Sequence, residues 1–281
     1  QKQYQHNHIP MKEINNAIIQ DYIHFLKSKK NLQENTVIRY MKVVKKITNM
    51  ALANDWIDKN PFINIHFHEQ EVHKEFLTKE ELGILRTKVF NVPRLELVRD
   101  IFLFQCWTGL AFIDVSELKP EHLVTDNQGN VWIRKARQKT KVMCNIPLLD
   151  IPLAILDKYR GYPLCEKKGT LLPVPCNQKT NSYLKEIADF CGIKKNLTTH
   201  TGRHTFSTVV ALANNVSLEN VAKMLGHTNT KMTQRYAKVL DQSILRDMQN
   251  VRESFSTKNH LKIKTATQSI RTVADFLYSS Y

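Results

Sequence analysis

Apolar residues recur at helical spacing through the first quarter of the chain. Ile14, Ile18, Tyr22 and Phe25 fall on one face of the segment from Ile14 to Leu26, and "VIRYMKVVKKITNMALAN" repeats the pattern with lysines on the opposite side. Two amphipathic helices follow from this, joined by the polar "NLQENT". The second ends at Asn60-Pro61, because proline disfavours helix in the residue before it. Residues 64 to 76 carry few helix or strand signals and read as a linker. A new helix is then announced by Thr78 and Glu81, a cap and its partner three residues on.

From 78 to 115 the pattern is helical again, with Pro93 near a helix start and Gly109 near its end. The period then changes to two. "NVWIRKARQKTKVMCNIPLL" alternates, is rich in β-branched and basic residues, and follows the turn signal "DNQGN", so it reads as a short antiparallel hairpin or sheet. Further helices are expected near 151 to 160, 179 to 191, 203 to 214, 217 to 225 and 230 to 239. The fold class is mainly α with a small antiparallel β-sheet, in two domains: 1–73, a helical domain with its linker, and 74–281, a larger domain with a C-terminal tail.

Composition narrows the partners. The 281 residues are 42% hydrophobic, enough for a real core, while 41 Lys+Arg against 26 Asp+Glu leave a net charge of +15. A sequence pI near 9.6 suits a polyanion, nucleic acid first, although a basic solvated surface has the same composition. The five cysteines are far apart, with no CxxC pair, so neither a disulfide framework nor a zinc site is indicated; a reducing cytoplasm fits. His66, His68 and His73 match no metal-site spacing and read as loop histidines. No run approaches eighteen apolar residues, since Arg99 and Asp100 interrupt "LVRDIFLFQCW", and no membrane span is expected.

Two clusters could carry chemistry. In "TTHTGRHTF", His200 and Arg203 are three apart and share a face if a helix starts near residue 200. Free amides at its N-terminus and a forked guanidinium would then make an anion site. A histidine cap beside an exposed arginine has the same sequence. In "LGHTNTKMTQRYAKV", His227 and Tyr236 would lie about 180° apart on one continuous helix. Gly226 and "HTNT" break that helix, so the two can face a shared point; a tyrosine packed on an amphipathic helix is the alternative.

"THTGRHTF" resembles the HxxRH box, and "LGHTNTKMTQRYAKV" the LGH-x8-Y box, of the tyrosine recombinases or phage integrases, in residue type, order and separation. The resemblance covers nearly the whole chain and implies a core-site binding domain followed by a catalytic domain. An arm-binding domain, often present in integrases, would precede Gln1. By the same resemblance Tyr236 is the nucleophile, Arg203 the second phosphate-binding arginine, and His200 and His227 the two histidines. The family's hairpin lysine falls on Lys139, seven residues before Ile146, with Lys141 next in line. One position departs: after "TGL" the family has its first arginine, and this chain has Ala111, with Asp114 in the place of the acidic residue. Arg99, inside an apolar helix, is the substitute considered, a structural pair with Asp100 or Asp114 being the other explanation.

The implied reaction is DNA strand transfer. A free phenol has a pKa of about 10, so Tyr236 needs a base, for which His200 is chosen. Attack yields a 3′-phosphotyrosine, with Arg203, His227 and Arg99 neutralising the phosphate oxygens and Lys139 protonating the departing 5′ oxygen. A 5′-hydroxyl from a second duplex then completes exchange, so no ATP, metal or other cofactor is needed. The expected partner is double-stranded DNA at core recombination sites of a mobile genetic element, contacted by Lys42, Lys45, Lys46, Arg134, Lys135, Arg137, Lys139 and Lys141 as the two domains close around it. A homo-oligomer on DNA, a tetramer in the synapse, and accessory DNA-bending factors complete the set of partners. "SIRTVADFLY" in the tail suits docking on a neighbouring protomer or back on its own domain. The competing functions are a type IB topoisomerase-like nicking and closing activity, a catalytically impaired DNA-binding protein on the same fold, and a metal nuclease using the loop histidines.

Overall fold

A computed structural model describes residues 9–70, 74–237 and 248–253. His73 and the tail segment "SIRTVADFLY" (269–278) lie outside the described residues. The chain divides into two compact units, Gln1–His73 and Lys74–Tyr281.

In the first unit, α1 (Asn16–Ser28) begins where the Asn15 side chain accepts from Ile18 N, and α2 (Glu34–Ala53) packs against it. Their shared core is Ile19, Leu26, Val37, Met41 and Phe62. The expected face of α1 is therefore displaced by one residue. Tyr22 and Phe25 remain 41% and 42% exposed, and the helix is rolled so that Ile19, Ile23 and Leu26 face inward. Asn16 sets the roll, donating from Nδ2 to Pro61 O (3.2 Å) and Ile63 O (2.9 Å), and it lies on the same face as Ile19 and Ile23. The expected linker is partly built into this unit: Ile65 and Phe67 pack on the core, and Asn35 and Gln70 exchange two bonds of 2.8 and 2.9 Å.

The second unit opens with α3 (Lys79–Thr87), where Thr78 and Glu81 form the full capping box. Then comes α4 (Pro93–Thr108), with proline at its start and Gly109 at φ 68° as its left-handed cap. From Ile101 to Cys106 every residue is buried, because α6, α8 and α9 pack around α4, so it shows no amphipathic stripe. The short α5 (Phe112–Ser116) leads to an antiparallel sheet in the order β1 (Leu123–Thr125), β2 (Val131–Ala136), β3 (Met143–Pro147). Ile133 pairs with Ile146 and Arg134 with Asn145. Asp126 builds the turn before β2, accepting from Gln128 N and Asn130 N at 2.9 Å each. Side-chain hydrogen bonds from Asn130 and Trp132 hold its carboxyl down to about 2.

After the sheet follow α6 (Asp150–Lys158), α7 (Pro163–Lys168), α8 (Asn177–Phe190), α9 (Thr199–Thr205), α10 (Leu218–Met224) and α11 (Lys231–Ala237). The helix expected over 203–214 starts four residues earlier, capped by Thr198. It changes to a π-helical turn over Phe206–Ala211 and a 3-10 turn over Leu212–Asn214. Among the described residues no helix is long and apolar enough to cross a membrane.

Candidate active site

Two glycines bring the parts of the site together. At Gly109 a Cβ would fall 2.3 Å from Phe206 Cδ1, and at Gly226, with φ 61°, it would fall 2.7 Å from Cys144 Sγ. No L-residue fits either place, so the end of α4 closes onto the π turn and the turn after α10 closes onto β3.

Arg203 fills the space between them. Its residue is 5% exposed, with Nη1 donating to Gly109 O and Nη2 to Leu225 O, both at 2.5 Å. Loss of solvation, then the nearby charge of Arg137, draws its pKa down to about 10, still far above neutrality. This placement differs from the anion site expected at the start of the helix. The first amides of α9 are already used, Thr199 N on Asn181 Oδ1 (3.0 Å) and Thr201 N on Thr198 Oγ1 (3.4 Å), and Arg203 points away from them toward carbonyls.

His227 follows Gly226 and is also buried. Its Nε2 lies 3.2 Å from Arg203 Nη2, and its Nδ1 lies 2.8 Å from Thr233 Oγ1 on α11. A guanidinium only donates, so Nε2 accepts, and the ring proton resides on Nδ1, donating to Thr233. The imidazole is thereby fixed in position and tautomer.

Tyr236, three residues beyond Thr233, is 6% exposed and belongs to a small core with Phe206, Val221 and Leu225. Its ring stacks on His227 (centroids 6.5 Å apart, planes 7° apart) and lies 5.3 Å from His204. The break at Gly226 and "HTNT" does fold the two helices so that His227 and Tyr236 meet. His204 is a site residue that sequence analysis passed over, although it stands in the same motif beside Arg203.

His200 is exposed on α9. Partial desolvation, then the charges of Lys74, Arg203, Lys139 and Arg137, hold its pKa below the usual 6.5. Lys139 thus stands within electrostatic reach of His200. It lies in the hairpin loop that Arg137 and Val142 close by a 2.9 Å backbone bond, and Lys141 in the same loop has φ 58°. Cys144 Sγ lines the floor, its thiol pushed up to about 11 by burial.

Several expected residues lie elsewhere. Arg99 is not brought to this site. Its Nε donates to Asp100 Oδ1 at 2.6 Å and its Nη1 to Lys88 O at 2.7 Å, ten residues and about 15 Å of helix from Gly109. Asp100 is its structural partner, whereas Asp114 accepts from Gln138 N at 2.9 Å. Lys135 is buried on the face of β2 that carries Ile133, while Arg134 is exposed on the other, as strand alternation requires, so the two do not share a surface. In the first unit, Lys42 pairs with Glu69, Lys45 lies 5.8 Å over the Phe62 ring, and Lys46 is exposed.

Residues 2–68 match the phage integrase SAM-like domain and residues 75–243 the phage integrase family. A tyrosine recombinase of Thermosipho africanus is 26% identical, over 82% of this chain and 83% of its own length. Tyrosine recombinase XerC of Staphylococcus carnosus is 24% identical, over 85% and 82% respectively. Among solved structures, a lambda integrase dimer bound to a COC′ core site superposes with a TM-score of 0.63 at 17% identity, covering 84% of this chain and 83% of that one. With both of its parts matched, the chain belongs to the phage integrase family, the site-specific tyrosine recombinases.

Proposed function

We propose that this recombinase cuts and rejoins double-stranded DNA with Tyr236 as nucleophile, forming a 3′-phosphotyrosine and releasing a 5′-hydroxyl. The observation that carries the reading is the stacking of Tyr236 on an imidazole whose Nε2 is bonded to Arg203. A phenol placed there meets a phosphate held by that arginine. His200, with its pKa held below the usual value, is neutral at pH 7 and takes the phenolic proton. Arg203 offsets charge on the phosphate oxygens, its guanidinium held in place by His227 Nε2, and Lys139 supplies a proton to the departing 5′ oxygen. The phosphodiester energy stays in the tyrosyl link, so a 5′-hydroxyl of a second duplex can attack it and restore the diester.

The exposed cations Lys42, Lys46, Arg134, Lys139 and Lys141 supply phosphate contacts to the duplex. The similarity to a lambda integrase dimer on its core site supports action as an oligomer on DNA; a tetramer at the synapse is part of the same proposal. The mobile element's core sites are the substrate class, and accessory DNA-bending factors assist. Two differently marked duplexes test the reading. Joined products that carry both marks are expected, whereas relaxation of supercoils without joining would assign the chain to nicking and closing.

A further inference from the structure

Ala111 leaves the phosphate with one arginine of the usual two, and the hairpin holds another beside the same turn. Arg137 follows the last residue of β2, where its N donates to Val142 O (2.9 Å) and its O accepts from Lys141 N (2.8 Å). The next residue, Gln138, is tied through its N to Asp114 Oδ1 on α5, the element that Ala111 caps. The Leu225–His227 turn lies directly against Arg137. A Cβ at Gly226 would stand 3.1 Å from Arg137 Cβ, and Thr140 Oγ1 donates to Gly226 O at 2.8 Å. Arg203 reaches that turn from α9, through Leu225 O and His227 Nε2. Two guanidiniums from different elements therefore converge on three residues.

They differ in what they hold. Arg203 is bonded to two carbonyls, whereas Arg137 Nε and Nη1 are buried and have no hydrogen-bond partner among the described residues. The buried Asp114 makes no ion pair with Arg137; it spends Oδ1 on Gln138 N, and its Oδ2 also lacks a partner. Guanidinium nitrogens kept out of water with idle donors, as two of the three are here, are costly unless an anion arrives to take them. Arg99, by contrast, has its donors filled by protein.

The geometry points to Arg137 as the replacement for the arginine absent at Ala111, clamping with Arg203 the non-bridging oxygens of the scissile phosphate. Arg137 is then a catalytic residue and Asp114 a positioning residue that anchors its loop. The charge of Arg137, second to desolvation in lowering the pKa of Arg203, fits two cations that await one anion. This assignment rests on the strand-transfer reading above.

The test uses the full 281-residue chain. A pool of nicked duplexes of randomised sequence yields the one on which the wild-type chain forms a denaturant-resistant adduct that depends on Tyr236. That duplex is then made with a phosphodiester or a methylphosphonate at the mapped scissile position. Arg137→Ala is expected to slow adduct formation on the phosphodiester by about 100-fold or more, the usual effect of removing a donor to a reacting oxyanion. On the methylphosphonate, which carries one negative oxygen fewer, the deficit is expected to shrink by about tenfold. Arg137→Lys should show a smaller deficit with the same dependence on linkage, and it carries the comparison if thermal melting shows that the alanine variant has lost its fold. A deficit equal on both linkages, or none, overturns the assignment, because Arg137 then only supports the turn. A wild-type chain that forms no adduct with any duplex overturns the strand-transfer reading itself, and the assignment with it.

Discussion

Thr233 Oγ1 stands 2.8 Å from His227 Nδ1, and through that bond α11 decides which nitrogen of His227 faces Arg203. The same short helix carries Tyr236, so the proposed nucleophile and the second support of the histidine sit on one element.

Removing that support should be felt in the chemistry. Thr233→Val keeps the shape but offers no acceptor for Nδ1–H, which frees the imidazole to rotate or change tautomer. Single-turnover adduct formation is expected to fall by about tenfold, with DNA affinity within about twofold of wild type. Gel-shift titration beside the cleavage rate separates the two effects.

As the proposed base, His200 should give the reaction an acidic limb. A base works only when deprotonated, and desolvation together with neighbouring cations holds its pKa below 6.5. The cleavage rate should therefore rise with pH below 6.5 and be level by neutrality. The rate–pH profile of the wild-type chain checks this, and in His200→Ala the residual rate should lose that limb.

Arg99→Ala should cost stability and leave cleavage alone. The change strips Asp100, 4% exposed, of its 2.6 Å partner, leaving it to Lys158 Nζ at 2.7 Å and Tyr159 Oη at 2.9 Å. Breaking such a buried pair is expected to lower the unfolding free energy by about 3 kcal/mol. Urea denaturation gives the loss, and the adduct rate per folded molecule should match wild type.

Neighbours on β2 should behave differently toward salt. Arg134 is exposed, and Arg134→Ala is expected to reduce the slope of log affinity against log salt by about one. Lys135 is buried on the opposite face, so Lys135→Ala should leave the slope unchanged and lower the melting temperature. Affinity measured at a series of salt concentrations distinguishes them.

Features written in local sequence were legible before any coordinates: the Thr78–Glu81 capping box, proline and glycine bounding α4, the hairpin, and the helix break that lets His227 meet Tyr236. Those that depend on distant partners were not. On α1 both Ile18-Tyr22-Phe25 and Ile19-Ile23-Leu26 have helical spacing, and the choice lies with Asn16 and carbonyls 45 and 47 residues away. Arg99 looked available because a charge within an apolar helix suggests a missing anion, yet its anion is the next residue in the chain. Arg137 looked like one more basic residue of a DNA-facing hairpin. Its idle donors appear only when the Gly226 turn folds against it.

The central claim is that Tyr236 attacks a DNA phosphate. Incubating the chain with nicked duplex that it binds, then denaturing and digesting it, tests this directly by mass spectrometry. The expected result is a peptide bearing a 3′-linked nucleotide on Tyr236, formed equally with a chelator present and absent in Tyr236→Phe. A bound duplex that yields no adduct, or an adduct that persists in Tyr236→Phe, would contradict it.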